Sequence, residues 1–164
     1  MKKIFFLFAA SVALFSCSKE KQLTKTLDGT WNVKTVNYTA TPNVGGMTTT
    51  INGTGSSVNG TVSFDRKNMT STFNVGFSTQ PTTVGGLFPV PSIPITIKGN
   101  GTFINSETDI TITRTDTVSQ PMVFAILANN KTTMTWKTTA NTTIDLAGQS
   151  VPVPVALEIG VEKQ

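Results

Sequence analysis

The sequence lacks histidine altogether and contains a single cysteine among its 164 residues. Catalysis by imidazole, zinc sites with histidine ligands and disulfides within the chain are therefore excluded. Charged residues are scarce, at 13% of the chain with a formal net charge of +4, too few for a nucleic-acid groove or a polybasic membrane stripe. Threonine is abundant instead, with 30 residues beside 13 glycines and 8 prolines. This composition favours strands and turns over helices.

The N-terminus has the features of a secretory signal. Lys2 and Lys3 precede an almost unbroken apolar run from Ile4 to Leu14. A run of this length is too short for a transmembrane helix, which requires roughly 20 residues. The pattern therefore predicts a cleaved signal peptide over residues 1–16 and argues against a permanent membrane helix.

The cysteine follows this signal directly. The segment Leu14-Phe15-Ser16-Cys17 resembles the lipobox of bacterial lipoproteins, in particular those of Bacteroidetes, with an aliphatic residue three positions before the cysteine and a small residue just before it. The resemblance implies that Cys17 becomes the N-terminal residue and carries acyl chains such as palmitate. Because two acyl chains suffice for stable anchoring, we expect a lipid anchor in the outer membrane, on its periplasmic or its surface-exposed face.

The rest of the chain is long enough for one domain and hardly for two. Residues 17–27 are mostly polar after the cysteine, and they are interpreted as the lipidated N-terminus with a short spacer that lifts the domain off the lipid surface. The folded domain is expected to cover residues 28–164.

Apolar and polar residues alternate through most of this domain, which predicts half-buried antiparallel strands and an all-β fold. Residues 121–128 are apolar at most positions, and we expect a strand that is buried on both faces. The alternating apolar stripes are Val62 and Phe64; Phe73, Val75 and Phe77; Ile93, Ile95 and Ile97; Ile110 and Ile112; Met134 and Trp136; and Val151, Val153, Val155, Leu157, Ile159 and Val161.

Turn residues separate these stripes. Two stretches rich in glycine, threonine and proline, residues 41–60 and 80–92, are predicted to be long loops, the first with a short strand at Met47 to Ile51. Pro152 and Pro154 are two apart and both lack an N–H, so one edge of their strand is expected to stay unpaired. The predicted turns are Asn52-Gly53, Asn59-Gly60, Arg66-Lys67-Asn68, Asn100-Gly101 and Asn129-Asn130.

Several short motifs occur in order along the domain. They are Gly29-Thr30-Trp31, Gly60-Thr61-Val62-Ser63-Phe64-Asp65, Gly101-Thr102-Phe103 and the strand pair that ends in residues 132–138. Together they resemble the lipocalin-like domains of Bacteroidetes lipoproteins over most of residues 27–162. The resemblance implies an antiparallel up-and-down β-barrel of about 8–10 strands.

In lipocalins a tryptophan closes the narrow end of the barrel and a basic side chain from a late strand packs over it. The resemblance gives the first role to Trp31, with Gly29 allowing close backbone approach at the strand start. The final apolar stripe carries no arginine. Arg114 is therefore the predicted cation over Trp31, and Arg66 is the other candidate.

Two hypotheses follow for the barrel interior. An eight-stranded barrel is either filled by its own side chains or keeps room for one small ligand. In the second case the ligand is a small hydrophobic molecule, oriented by threonine hydroxyls and one arginine. The aromatic residues predicted to line its site are Phe64, Phe73, Phe77, Phe103 and Trp136.

Other chemistry has little support. Glu107 and Asp109, with Asn105, are spaced for a carboxylate pair or a calcium site, but a solvated turn is the favoured interpretation. The sequence has no hydrolase or phosphate-loop motif, so we expect no enzyme, no cofactor and no metal. The alternative to ligand binding is a cell-surface structural or adhesive module with a filled core, presenting its loops to a partner. Thr117 lies in Asp116-Thr117-Val118, which resembles an O-glycosylation site of Bacteroidetes proteins.

Overall fold

A computed structural model gives the structure of the chain for residues 19–44, 47–84, 88–116, 120–146 and 149–164. The predicted signal peptide, the predicted lipid-attachment residue Cys17 and the candidate glycosylation residue Thr117 lie outside these ranges. In the described part of the chain, no helix is long and apolar enough to cross a membrane.

The described residues form one helix, α1 (residues 19–27), followed by strands that continue to the C-terminus. The strands are β1 (Gly29–Ala40), β2 (Asn43–Val44), β3 (Met47–Thr48), β4 (Ile51–Thr54), β5 (Ser56–Asp65), β6 (Thr70–Ser78), β7 (Thr82–Val84), β8 (Phe88–Val90), β9 (Pro94–Asn105), β10 (Asp109–Arg114), β11 (Met122–Asn129), β12 (Thr133–Leu146) and β13 (Gln149–Lys163).

Eight of these strands close into an antiparallel barrel in the order β1, β5, β6, β9, β10, β11, β12 and β13, with β13 returning to β1. The strand β4 is an additional ninth strand that pairs with the second half of β1. Two small hairpins, β2–β3 and β7–β8, lie in the connections. The prediction of an all-β, lipocalin-like, up-and-down barrel of about 8–10 strands is therefore confirmed.

The side chains of the alternating stripes lie in or against the barrel core, except the side chain of Val151, which is outside the described part of the structure. Trp31, Phe103 and Ile112 are among the side chains with almost no exposed surface. The strand β11 differs from its prediction, because Val123 and Leu127 on its outer face are each 52% exposed. A barrel wall is one sheet thick and has solvent on its other face, so a strand within it is buried on one side only.

The predicted turns and loops are partly wrong. Residues 66–68 and Asn130 do lie in turns, but all three Asn-Gly pairs lie inside strands β4, β5 and β9. Gly60 is needed within β5 for two reasons. Its φ is +120°, which other residues rarely adopt, and an added Cβ would overlap the carbonyl oxygen of Asn74. Much of residues 41–60 is likewise strand, and the short strand expected at Met47 to Ile51 is divided between β3 and β4.

The strand segment with the two prolines of β13 is paired on one side only, as expected. Pro152 and Pro154 are opposite Thr143 and Asn141 of β12. On the other side, the pairing with β1 ends at Val155. Since neither proline has an N–H to donate in that direction, the end of the β1 ladder agrees with the chemistry.

The polar segment before the barrel is not a simple spacer. Residues 19–27 are helical, and Leu23 and Leu27 are 4% and 0% exposed in the same core as the barrel side chains. The interpretation of this segment as a spacer missed the helix, because only two of its residues are large and apolar. Their separation by four positions places both on one face of α1, which packs on the barrel end.

Candidate binding site

The barrel end beneath α1 is closed around Trp31. This side chain is completely buried, and its indole Nε1 donates a hydrogen bond to the carbonyl oxygen of Leu27 at 2.7 Å. The Nζ atom of Lys163 lies 5.4 Å from the Trp31 ring centroid and donates to the carbonyl oxygen of Thr26 at 2.8 Å. Lys163 therefore covers the tryptophan and satisfies a carbonyl in the last turn of α1.

The cation predicted for this position was wrong. Arg114 lies over the Phe73 ring, with its Cζ atom 5.9 Å from the centroid. Arg66 is exposed in the turn after β5, where its backbone N–H donates to Asp28. Lys163 was missed because only arginines were considered, although it continues the inward-facing stripe of β13 two residues beyond Val161 and lies opposite Trp31.

The predicted role of Gly29 also needs correction. A Cβ at this position would lie 3.5 Å from the Cε atom of Lys163, which is ordinary van der Waals contact. The φ angle of Gly29 is +109°, a conformation that side chains rarely adopt. Glycine is therefore required by backbone conformation and not by lack of space.

The aromatic residues predicted to line a ligand site all point into the barrel, and each is 1–3% exposed. The Trp136 ring is central to them, with edge-to-face contacts to Phe64 at 5.9 Å and Phe124 at 6.3 Å between centroids. Phe103 contacts Phe64 at 5.0 Å. Phe77 instead stacks on Tyr38, at 6.1 Å. The aromatic rings thus pack mainly on one another.

The space left between them is small. A cavity of about 20 Å³ lies beside Phe64, Phe73 and Trp136, and apolar side chains form its whole lining. This volume holds about one water molecule, but the lining offers none of the polar partners that a buried water needs. Drug-sized ligands occupy pockets of about 300–1,000 Å³. The interior therefore matches the filled-core hypothesis more closely than a preformed ligand cavity.

A much larger opening lies in the side of the barrel, at the end away from α1. Here β10 ends at Arg114 and β11 begins at Met122, while their neighbours β9 and β12 extend further. The pairing of β9 with β10 stops at Gly101, and the pairing of β12 with β11 stops at Lys137. The result is a cleft of about 1160 Å³ between the parts of β9 and β12 that extend beyond their pairing with β10 and β11. We call this cleft the notch.

The floor of the notch is apolar and its rim is polar. The side chains of Ile97 and Met122 line both the notch and the internal cavity, so the two spaces share a wall. The lining residues that the structure describes are Thr96, Ile97, Lys98, Arg114, Gln120, Pro121, Met122, Val123, Ala125, Lys137, Thr138, Thr139, Ala140 and Asn141.

The charges at the notch are mostly positive. Lys98, Arg114 and Lys137 belong to its lining, and none of the lining residues that the structure describes carries a carboxylate. Asp116 lies outside this lining, and Arg114 donates to its two carboxylate oxygens from Nε and Nη2, at 2.9 and 3.1 Å. These hydrogen bonds lower the pKa of Asp116 and raise the pKa of Arg114.

The carboxylates of the 105–109 turn have structural contacts. Glu107 lies 3.5 Å from the ammonium group of Lys19 on α1, and Asp109 accepts hydrogen bonds from Ser106 and Thr108. Asn105 accepts from the Thr24 hydroxyl and donates to a backbone carbonyl of α1. The turn therefore holds the helix against the barrel, which favours the structural interpretation of these residues over an acid–base or calcium site.

Comparison with known proteins adds no further constraint. No protein-family model matches the chain, and no curated protein matches it in sequence.

Proposed function

We propose that this protein is a lipid-anchored, lipocalin-like binding module of the outer membrane that takes a small hydrophobic ligand through the notch. The observation that carries the proposal is the shared wall: Ile97 and Met122 separate the notch from the apolar cavity of the barrel. A hydrophobic molecule in the notch lies against the core of the barrel, and movement of the wall would admit it further.

The wall contains a side chain suited to such movement. Methionine is unbranched and has three rotatable side-chain bonds, so it adapts to irregular shapes. Met122 is the first residue of β11 and is only partly buried. Its displacement would join the cavity of about 20 Å³ to the cleft of about 1160 Å³.

The position of α1 supports an anchor at the opposite end from the notch. Lys19, the first described residue, is two positions after Cys17 and lies at the closed end through its ion pair with Glu107. The strand β10 leads from Asp109 near this end to Arg114 at the notch. Five residues of extended strand span about 17 Å. A lipid on Cys17 would therefore leave the notch facing away from the membrane.

The proposal is tested by native mass spectrometry of the mature protein, isolated from its own host with Cys17→Ser so that no acyl chain is attached. We expect a bound species that is lost on denaturation. Ala140→Trp, which places a large ring in the notch, should abolish it. Ala128→Trp is the matched control, because Ala128 is exposed on β11 and lies outside the notch lining.

The filled core supports a second candidate, the structural or adhesive surface module without a ligand. The observation that supports this function is the small volume of the internal cavity, only about 20 Å³. Bare protein in the mass spectrum, together with unchanged behaviour of Ala140→Trp, would favour this function. The search for a partner would then turn to the connections that carry the β2–β3 and β7–β8 hairpins.

A further inference from the structure

We propose that the ligand is a single-chain carboxylate whose head group binds Arg114 and whose hydrocarbon tail lies on the apolar floor of the notch. This inference rests on the proposed function, and it adds the charge and the chemical class of the ligand. Three observations support it. The guanidinium group of Arg114 is held in place, the rim of the notch is positively charged, and the floor of the notch is apolar.

The guanidinium group is held in place and keeps unused donors. Arg114 has five N–H donors, of which its contacts with Asp116 use two. The group also lies against the Phe73 ring. A Cβ on Gly99 would lie 2.9 Å from the Nε atom of Arg114 and 2.7 Å from the Cζ atom of Phe73, so the glycine makes room for this packing. A group oriented in this way loses little conformational freedom when it binds a carboxylate.

The charge of the rim selects an anion. Lys98 and Lys137 belong to the same lining as Arg114, and Asp116 forms an ion pair with the arginine. Glu158 is the cross-strand neighbour of Lys137 on β13, outside the lining. The notch therefore presents two lysine ammonium groups and an ion-paired guanidinium that keeps free N–H donors. A neutral ligand would leave them unused, and a cationic ligand would be repelled.

The floor of the notch accommodates the tail. Ile97, Met122 and Ala140 provide apolar surface between the charged groups, and the first two border the internal cavity. A head group at Arg114 therefore directs a tail toward the wall that Met122 forms. Each additional methylene group that leaves water is expected to raise the affinity by about threefold to fourfold, until the floor is covered.

The experiment is isothermal titration calorimetry of the mature chain, made with Cys17→Ser, against decanoate, decanol and decyltrimethylammonium at pH 7.5. We expect decanoate to bind about tenfold or more tightly than decanol, because hydrogen bonds to charged groups contribute more than neutral ones. Decyltrimethylammonium should bind least. A series from octanoate to dodecanoate measures the contribution of the tail.

Arg114→Gln should bring the ratio of the decanoate affinity to the decanol affinity down to about one. Arg66→Gln is the matched control, since it removes the same charge from an exposed turn outside the notch. If Arg114→Gln does not fold, the double variant Lys98→Gln with Lys137→Gln tests the same charge selection on two exposed side chains. It should weaken decanoate binding and leave decanol binding unchanged.

The outcomes separate the two proposals. Equal affinity for decanoate and decanol would overturn the carboxylate inference and leave the proposed binding function in place. Binding of none of the three compounds, together with bare protein in the native mass spectrum, would overturn both. A decanoate preference that survives both Arg114→Gln and the double lysine variant would place the head group elsewhere and refute the inference.

Discussion

Lys163 covers the indole ring of Trp31 at 5.4 Å and at the same time donates to the carbonyl oxygen of Thr26 in α1. One side chain on the last strand thus joins the first strand, the helix and the closed end of the barrel. A cation at this position interacts favourably with both the face of the ring and the C-terminal end of the helix. The relationship explains why the chain needs a basic residue near its C-terminus.

Replacement of Lys163 should weaken this closed end. We expect Lys163→Met to lower the free energy of unfolding by about 1–2 kcal/mol, because a cation–π contact and a helix-end interaction are lost together. The measurement is urea denaturation followed by tryptophan fluorescence. Lys67→Met, in an exposed turn, is the control, and an equal loss in both variants would contradict the assigned role.

The helix α1 should contribute to the stability of the barrel. Leu27→Ala is expected to lower the free energy of unfolding by about 2–5 kcal/mol, the usual range for a fully buried leucine. Leu127→Ala is the matched control, since Leu127 is 52% exposed, and it should change stability by less than about 0.5 kcal/mol. A small effect of Leu27→Ala in thermal denaturation would show that the segment behaves as a spacer after all.

Two glycines with positive φ allow a separation of steric and conformational costs. Gly29→Ala meets only an ordinary contact, so its expected cost is the backbone strain of about 1–2 kcal/mol. Gly60→Ala adds an overlap with the Asn74 carbonyl oxygen to the same kind of strain, and it should be the more destabilising variant. Chemical denaturation of both variants tests the order, and equal losses would contradict a steric cost at Gly60.

The ion pair at the notch should titrate in a specific direction. The hydrogen bonds from Arg114 lower the pKa of Asp116, so the stabilisation is present above the unfolded-state value near 3.8 and is lost as the pH falls through the lower folded-state pKa. Carboxyl NMR should show that Arg114→Gln raises the pKa of Asp116. Asp65 is the internal control, because its pKa is lowered mainly by the side chain of Asn68 and should not change.

The proposed lipid anchor gives a prediction that does not depend on any ligand. Wild-type protein expressed in a bacterium that processes lipoproteins should incorporate labelled palmitate and sediment with membranes. Cys17→Ser should do neither, since it removes the thiol that carries the chains. Incorporation of label by the Cys17→Ser variant would exclude this residue as the attachment site.

The alternation of apolar and polar residues was sufficient to predict the strands and the all-β fold, because one face of each strand is buried. The barrel was implied by the resemblance of the short motifs to lipocalin-like domains. The prolines at 152 and 154 similarly predicted an unpaired edge from chemistry that belongs to the residue itself. Both features are local, and both could be inferred without knowing which strands are neighbours.

The closed end, the cavity and the notch were decided by tertiary structure. The contact between Lys163 and Trp31 depends on the register with which β13 returns to β1, and the notch depends on β10 and β11 being shorter than their neighbours. The cavity is small because aromatic rings from different strands interdigitate around Trp136. The sequence by itself therefore determined which faces of the alternating strands are buried, although not for β11, whose outer face is exposed. Strand register and packing determined which residues meet, because these contacts join side chains from strands that are distant along the chain.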